Sequence, residues 1–599
     1  MIDFPKPAAR QFLQTLTLGK FAVTSNEDKL LFVSNLSGKM NLWSKALPVG
    51  FPSQLTFENQ SIGSVHGDPK GRYTLITSDV DGDENYKIKV ISPAGGQAKS
   101  LIPAEQETKQ FISHLSDDGE YLYYATSQGN PEYFNSFRRN VMTGEEELLV
   151  VGEDALTTIE SVSEDGYIIA YVKKFSNTHS LIEALDGDKT HVLSSEPEEI
   201  QEMRQAVVAG RKVYYLTNLH EDHHYLAAYD LDEQLTTIIK KLPNASMDEL
   251  DYDAANHCLY VRTLEGAIAR LYRLTIADKG WREVVTPFDM ILSLKIAASG
   301  ALYVLGSTST SPMQIFTFTG SEWEPIVTNR VPGVPEEMLV EAETITYSSF
   351  DGLQIEALWF KASDEVSNRA TIFWPHGGPQ SLETKAFRAY FQYWLANGYS
   401  VFAPNFRGSA GYGSDFMKMV ERDWGYGPRL DCVKGAEWLF DQGYATPETL
   451  YCVGGSYGGY MTLLLHGRHS DLFRAFVDIF GPCDLFTFYH SVPDHWKQMM
   501  DQFVGNPDRD KAKFIEDSPI TYLENMIKPM MVVQGANDPR VVQAESDKIV
   551  NALRDKGVEV EYLLLEDEGH GFSKKENELL VFEQIVKFLD KQRLDHPIG

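Results

Sequence analysis

Polar turns and short apolar runs recur in step along the first half of the chain. Asn26-Glu27-Asp28 precedes Leu30 to Val33, Asp68-Pro69-Lys70-Gly71 precedes Tyr73 to Ile76, and Ser116-Asp117-Asp118-Gly119 precedes Tyr121 to Tyr124. The alternation continues at Ser163 to Gly166 before Tyr167 to Val172, Gly210 before Val213 to Leu216, Asn256 before Leu259 to Val261, and Ser299-Gly300 before Leu302 to Leu305. The marker residues Asp28, Gly71, Gly119, Gly166, Gly210, Asn256 and Gly300 stand 43 to 48 positions apart. A repeat of that length, with several short strands per unit and almost no helical pattern, predicts a seven-bladed β-propeller of four-stranded blades over residues 20–330. A pair of β-sandwiches would not impose so even a spacing.

The pattern changes after Val331-Pro332-Gly333-Val334-Pro335, which reads as a linker. Ile345 to Phe360 then reads as a hairpin, and beyond it apolar strands alternate with helical segments, the signature of a mostly parallel sheet covered on both faces. At the other end, Pro7 to Leu16 has the spacing of a short amphipathic helix with Phe12, Leu13 and Leu16 on or near one face. Residues 1–19 are expected to form a helical extension that packs on the second domain, 331–599.

Within that second domain the apolar run Leu450 to Val453 meets Gly454-Gly455-Ser456-Tyr457-Gly458-Gly459, and the helix-like stretch Tyr460 to Leu465 follows. Small residues around a serine between a strand and a helix make a nucleophile elbow, the sharp turn that lifts the hydroxyl clear of the sheet. Such an elbow requires an acid and then a histidine further along. Asp538 follows the strand Met530 to Val533, and His570 follows the strand Val560 to Leu565. Both sit at strand ends, where open parallel sheets place their ligands. Asp567 is nearer to His570 in sequence, but from the same loop it would struggle to reach the far side of the imidazole. Asp538 also has a plainer reading, as a turn or cap residue before Pro539. Acyl transfer needs oxyanion donors as well. The backbone N–H of Tyr457 is one candidate, and Gly378, or else Gly377, in His376-Gly377-Gly378-Pro379 is the other, with His376 shaping the loop. The fold class that results is a two-domain protein: a seven-bladed β-propeller, a doubly wound α/β-hydrolase domain and a short N-terminal helix.

Composition narrows the function further. The 54 basic residues against 85 acidic ones give a net charge of -31, which argues against nucleic acid as a partner, because phosphate binding draws on concentrated Lys and Arg. No basic cluster suggests a membrane surface, and the N-terminus lacks a basic, apolar leader, so a cytoplasmic protein is expected. Cys258, Cys432, Cys452 and Cys483 show no metal-ligand spacing and read as buried thiols of a reducing compartment. No metal and no organic cofactor is expected.

The propeller, the order Ser456, Asp538, His570, the His-Gly-Gly-Pro loop and the segment Asn405-Phe406-Arg407-Gly408-Ser409-Ala410-Gly411-Tyr412-Gly413 together resemble the prolyl oligopeptidase family of serine peptidases, most of all its acylaminoacyl peptidase branch. Tyr457 stands where prolyl oligopeptidases have Asn, and Gly455 where dipeptidyl peptidases usually have Trp. The resemblance implies hydrolysis of short peptides with release of N-acylated amino acids, a propeller that excludes folded proteins, and a homodimer or higher homo-oligomer. It also places Arg540 opposite the substrate, where it could hold a peptide carbonyl or a propeller carboxylate such as Glu84. The acidic clusters Glu145-Glu146-Glu147 and Glu198-Glu199 read as solvated charge. A carboxylesterase, a different oligopeptidase specificity, and a peptide-binding propeller with an inactive hydrolase scaffold remain as alternatives.

Overall fold

The computed structural model describes residues 6–58 and 60–594. Seven four-stranded antiparallel sheets form the propeller, the first opening with Leu18–Val23 and the last ending with Trp323–Val327. Each run singled out by the sequence repeat is the second strand of its blade, from Lys29–Ser34 in blade 1 to Leu302–Ser307 in blade 7. These strands are almost wholly buried, because neighbouring blades pack on both of their faces. Leu31, Val33 and Ile76 join blades 1 and 2, Tyr123 and Tyr171 join blades 3 and 4, and Phe21, Phe32 and Leu305 join blade 7 back to blade 1. Among the described residues no strand is shared across that last junction, so the ring is closed by apolar packing and by side-chain hydrogen bonds such as those from Ser299 to Glu27.

The second domain is built on one eight-stranded sheet. It begins with the antiparallel hairpin Glu343–Ser348 and Gln354–Phe360, and the remaining strands run parallel in the order Tyr399–Asn405, Ala370–Phe373, Leu450–Gly455, Ala475–Ile479, Met530–Gly535 and Val560–Leu565. The chain order reverses between Ala370–Phe373 and its neighbours. That switch point opens a crevice at the carboxyl ends of the strands. Alternate residues feed two cores: Cys452, Met530 and Val532 face one layer of helices, and Tyr451, Val453, Met531 and Val533 face the other.

The N-terminal helix spans only Ala9–Leu13, shorter than the expected Pro7 to Leu16. Phe12 and Leu13 bury themselves beside Trp394 and Phe582 in the second core, whereas Leu16 already packs with the propeller core around Phe21. One amphipathic run thus serves two domains, and the helix must end between them. The segment expected as a plain linker also packs: Val331 and Val334 are buried in the same core.

Candidate active site

Ser456 ends the strand Leu450–Gly455 and caps the helix Tyr457–Arg468 with φ 58° and ψ -122°. A non-glycine residue there costs about 1–3 kcal/mol and persists only where the surroundings hold it. They do so by close approach: a side chain at Gly454 would collide with the Gly458 carbonyl, and one at Gly458 with the Pro375 carbonyl. The glycines therefore let the elbow sink against the preceding strand end and raise its hydroxyl.

That hydroxyl lies 2.9 Å from His570 Nε2, and His570 Nδ1 lies 2.6 Å from Asp538 Oδ2. The other carboxylate oxygen of Asp538 accepts the N–H groups of Arg540 and Val541, both at 2.9 Å. The carboxylate is an acceptor only, so Nδ1 carries the proton and donates it to Asp538, which leaves the Nε2 lone pair facing the serine. Asp567, the rival carboxylate, instead pairs with Lys574 and accepts from Asn577 at 3.0 Å.

The loop after Ala370–Phe373 lies against the nucleophile, with Gly377 packed on the Ser456 side chain. The buried imidazole of His376, stacked on Phe406 at 4.3 Å, holds the Gly377 carbonyl at 2.7 Å through Nδ1 and meets the Ser409 hydroxyl at 2.8 Å through Nε2. Burial pushes its pKa down to about 4. Because the Gly377 to Gly378 peptide is planar and trans, fixing its carbonyl turns the Gly378 N–H the opposite way. Gly378, Tyr457 and Ser456 share one cavity, and among the described residues the Gly378 N–H donates to no backbone carbonyl.

This cavity, about 420 Å³, has a wall of Trp424, Phe488, Met499, Met500 and Phe503. The helix Asp494–Phe503 supplies most of it. Arg540 stands at the polar rim, 2.8 Å from Glu84 of blade 2 and over the Trp496 ring. The pairing suggested by the sequence is thus formed across the two domains. Sequence reasoning missed Lys174, which blade 4 contributes to the same cavity, and the aromatic wall, which comes from a segment with no motif. Glu146 and Glu147 engage Arg139 and Arg138 on blade 3.

The propeller also touches the histidine loop directly. A Cβ placed on Gly82 would stand 2.6 Å from the Gly569 nitrogen, and one on Gly569 would strike the Gly82 carbonyl. Gly569→Ala should therefore push the loop off blade 2 and move His570 from its hydrogen bonds. We expect kcat to fall by about 10² or more, since a 1 Å displacement at a reacting group costs on that order. Steady-state kinetics with active-site titration measures it, and turnover within threefold of the parent would show that the contact does not position His570.

A strained serine, a histidine and a buried aspartate in series, set at the switch point of a doubly wound sheet beneath a propeller, define a serine hydrolase of the two-domain, propeller-capped kind. Residues 385–595 match the prolyl oligopeptidase family. The chain is 26% identical over 578 residues to dipeptidyl aminopeptidase BIII of Pseudoxanthomonas mexicana, covering 92% of this chain and 83% of that protein. It is 28% identical to the acylamino-acid-releasing enzyme of Arabidopsis thaliana over 247 residues, 40% of this chain and 32% of that one. In fold it is similar to puromycin hydrolase, with a TM-score of 0.86 at 17% identity over 98% of this chain and 96% of the other. The second domain, over residues 385–595, is thus that of the prolyl oligopeptidase family of serine peptidases. Among the described residues no helix is long and apolar enough to cross a membrane.

Proposed function

We propose that the protein hydrolyses short peptides after an apolar residue and favours blocked N-termini, releasing N-acylated amino acids. The observation that carries this reading is the 420 Å³ cavity beside Ser456, whose lining holds aromatic and Met side chains and two cations but no Asp or Glu. A free ammonium entering it would lose water without meeting a carboxylate in that lining, whereas an acyl carbonyl can accept from Arg540. In the proposed reaction His570 Nε2 takes the Ser456 proton as Oγ attacks the scissile carbonyl. The N–H groups of Tyr457 and Gly378 receive the oxyanion. His570 then protonates the leaving amine, and water, activated by the same imidazole, releases the acyl group. Asp538 holds the tautomer and stabilises the charged imidazole throughout.

A second reading, release of dipeptides from free N-termini, is favoured by Glu84, the propeller carboxylate paired with Arg540, which could turn from it to an ammonium. Comparing kcat/KM for N-acetyl-Phe-p-nitroanilide, Phe-p-nitroanilide and Gly-Phe-p-nitroanilide separates the two. We expect the acetylated substrate to be turned over at least tenfold faster than either free amine, and the reverse order would replace the first reading with the second. A p-nitrophenyl ester measured alongside tests the esterase alternative.

A further inference from the structure

The chain as a whole is strongly acidic, yet among the described residues the cavity beside Ser456 presents only Lys174 and Arg540 as charged side chains. These two cations are not equivalent. Arg540 is matched by Glu84 at 2.8 Å. Lys174 lies on the second strand of blade 4, and among the described residues its ammonium forms no ion pair and no hydrogen bond. The adjacent Lys173, on the opposite face of the strand, pairs with Asp154 at 2.7 Å. Glu202, an acid in the surroundings of Lys174, is taken up by Arg204 at 3.2 Å and His224 at 3.0 Å. Burial lowers the pKa of Lys174, with Glu202 raising it and Arg204 lowering it. The backbone is fixed, since the Lys174 carbonyl accepts from Gln498 of the cavity-wall helix at 3.1 Å. An ammonium held half out of water with no partner gains from an incoming anion.

The side of the scissile bond follows from the histidine. His570 does not line this cavity but borders a separate one of about 210 Å³ with Glu84, Tyr86 and Phe572. The leaving amine must face His570 to be protonated, so the acyl portion enters the cavity that holds Lys174.

We infer that Lys174 is a specificity-determining residue that binds a carboxylate on the acyl side of the substrate, either an acidic acyl group or an Asp or Glu side chain just before the apolar residue. The inference rests on the proposed function only in placing the acyl portion in this cavity.

The test is the ratio of kcat/KM for N-succinyl-Phe-p-nitroanilide to that for N-acetyl-Phe-p-nitroanilide. In the parent protein the ratio should be about ten at low salt, the size of a half-buried charge-assisted contact, and should fall as salt is added. It should drop to about one in Lys174→Met, fall below one in Lys174→Glu, and survive in Lys174→Arg. Each ratio is taken within one variant, so it does not depend on how much of that variant folds, and a purely structural role would move both substrates together. A parent ratio of one, or an unchanged ratio in Lys174→Met, overturns the inference. If neither acylated substrate is cleaved while Glu-Phe- and Gln-Phe-p-nitroanilide are, the acyl reading fails instead. The Glu to Gln ratio in the parent and in Lys174→Met then decides for or against Lys174 in the same way.

Discussion

Replacing Ser456 with alanine should lower kcat by about 10⁶-fold and leave the fold intact, a loss of the size seen when the serine of such a triad is removed. No other hydroxyl takes its place in the geometry: His570 Nε2 has Ser456 Oγ as its hydrogen-bond partner among the described residues. The fold should survive because alanine carries the same Cβ into the same turn and, among the described residues, Ser456 Oγ supports no bond other than that to His570. Single-turnover kinetics on an activated ester, with circular dichroism and thermal unfolding as controls, would measure it. Turnover within a hundredfold of the parent, in protein free of contaminating hydrolase, would remove Ser456 from the mechanism.

The second large effect is expected at Asp538. In Asp538→Asn the side-chain oxygen should take the position of Oδ1, since two backbone N–H groups donate there. The amide nitrogen is then turned toward His570 Nδ1, where the parent has an acceptor. A donor at that place forces Nδ1 to be the unprotonated nitrogen, so the proton moves to Nε2 and the imidazole can no longer receive one from Ser456. The result should be a loss of about 10⁴-fold in kcat with little change in KM. An alanine at 538 lacks the misplaced donor, but it leaves the two backbone N–H groups without their acceptor and should be less stable. A decrease of less than about tenfold in the asparagine variant would mean that another acid supports His570, and Asp567 would be the first to examine.

The parts of this molecule that were legible in the sequence are those encoded locally. An elbow needs glycines at fixed offsets from its serine, so Ser456 announces itself within six residues. A blade needs a turn before its second strand, so the propeller can be counted from residues such as Gly71, Gly119 and Gly300. Asp538 and His570 were legible because strand ends are marked by the apolar runs before them. The cavity wall was not, because Trp424, Phe488 and Phe503 come from segments far apart in sequence that only the fold brings together. Lys174 was hidden for the same reason: on a strand where Lys173 and Lys174 adjoin, no pattern tells which one faces a domain more than 200 positions away. The N-terminal helix is shorter than its apolar pattern implies because Leu16 is apolar for the sake of the propeller rather than the helix.

The two crossings between the domains lie side by side, for Gln11 donates to the carbonyls of Pro332 and Gly333 at 3.2 and 3.0 Å. Both are anchored by side chains sunk in the hydrolase core, Phe12 and Leu13 on one and Val331 and Val334 on the other. They meet at the junction of blades 1 and 7, and blade 4 lies across the ring from them. There the attachment is polar: Gln498 reaches the Lys174 carbonyl, and Gln502 and Glu421 reach Thr178. Water can replace such bonds at small net cost, whereas withdrawing Phe12 exposes a whole aromatic face. The two domains are therefore joined unevenly, by buried apolar side chains beside the N-terminal helix and by replaceable polar bonds at blade 4. Lys174 stands at that polar edge, so the charge it offers the cavity depends on contacts that water can replace rather than on apolar packing.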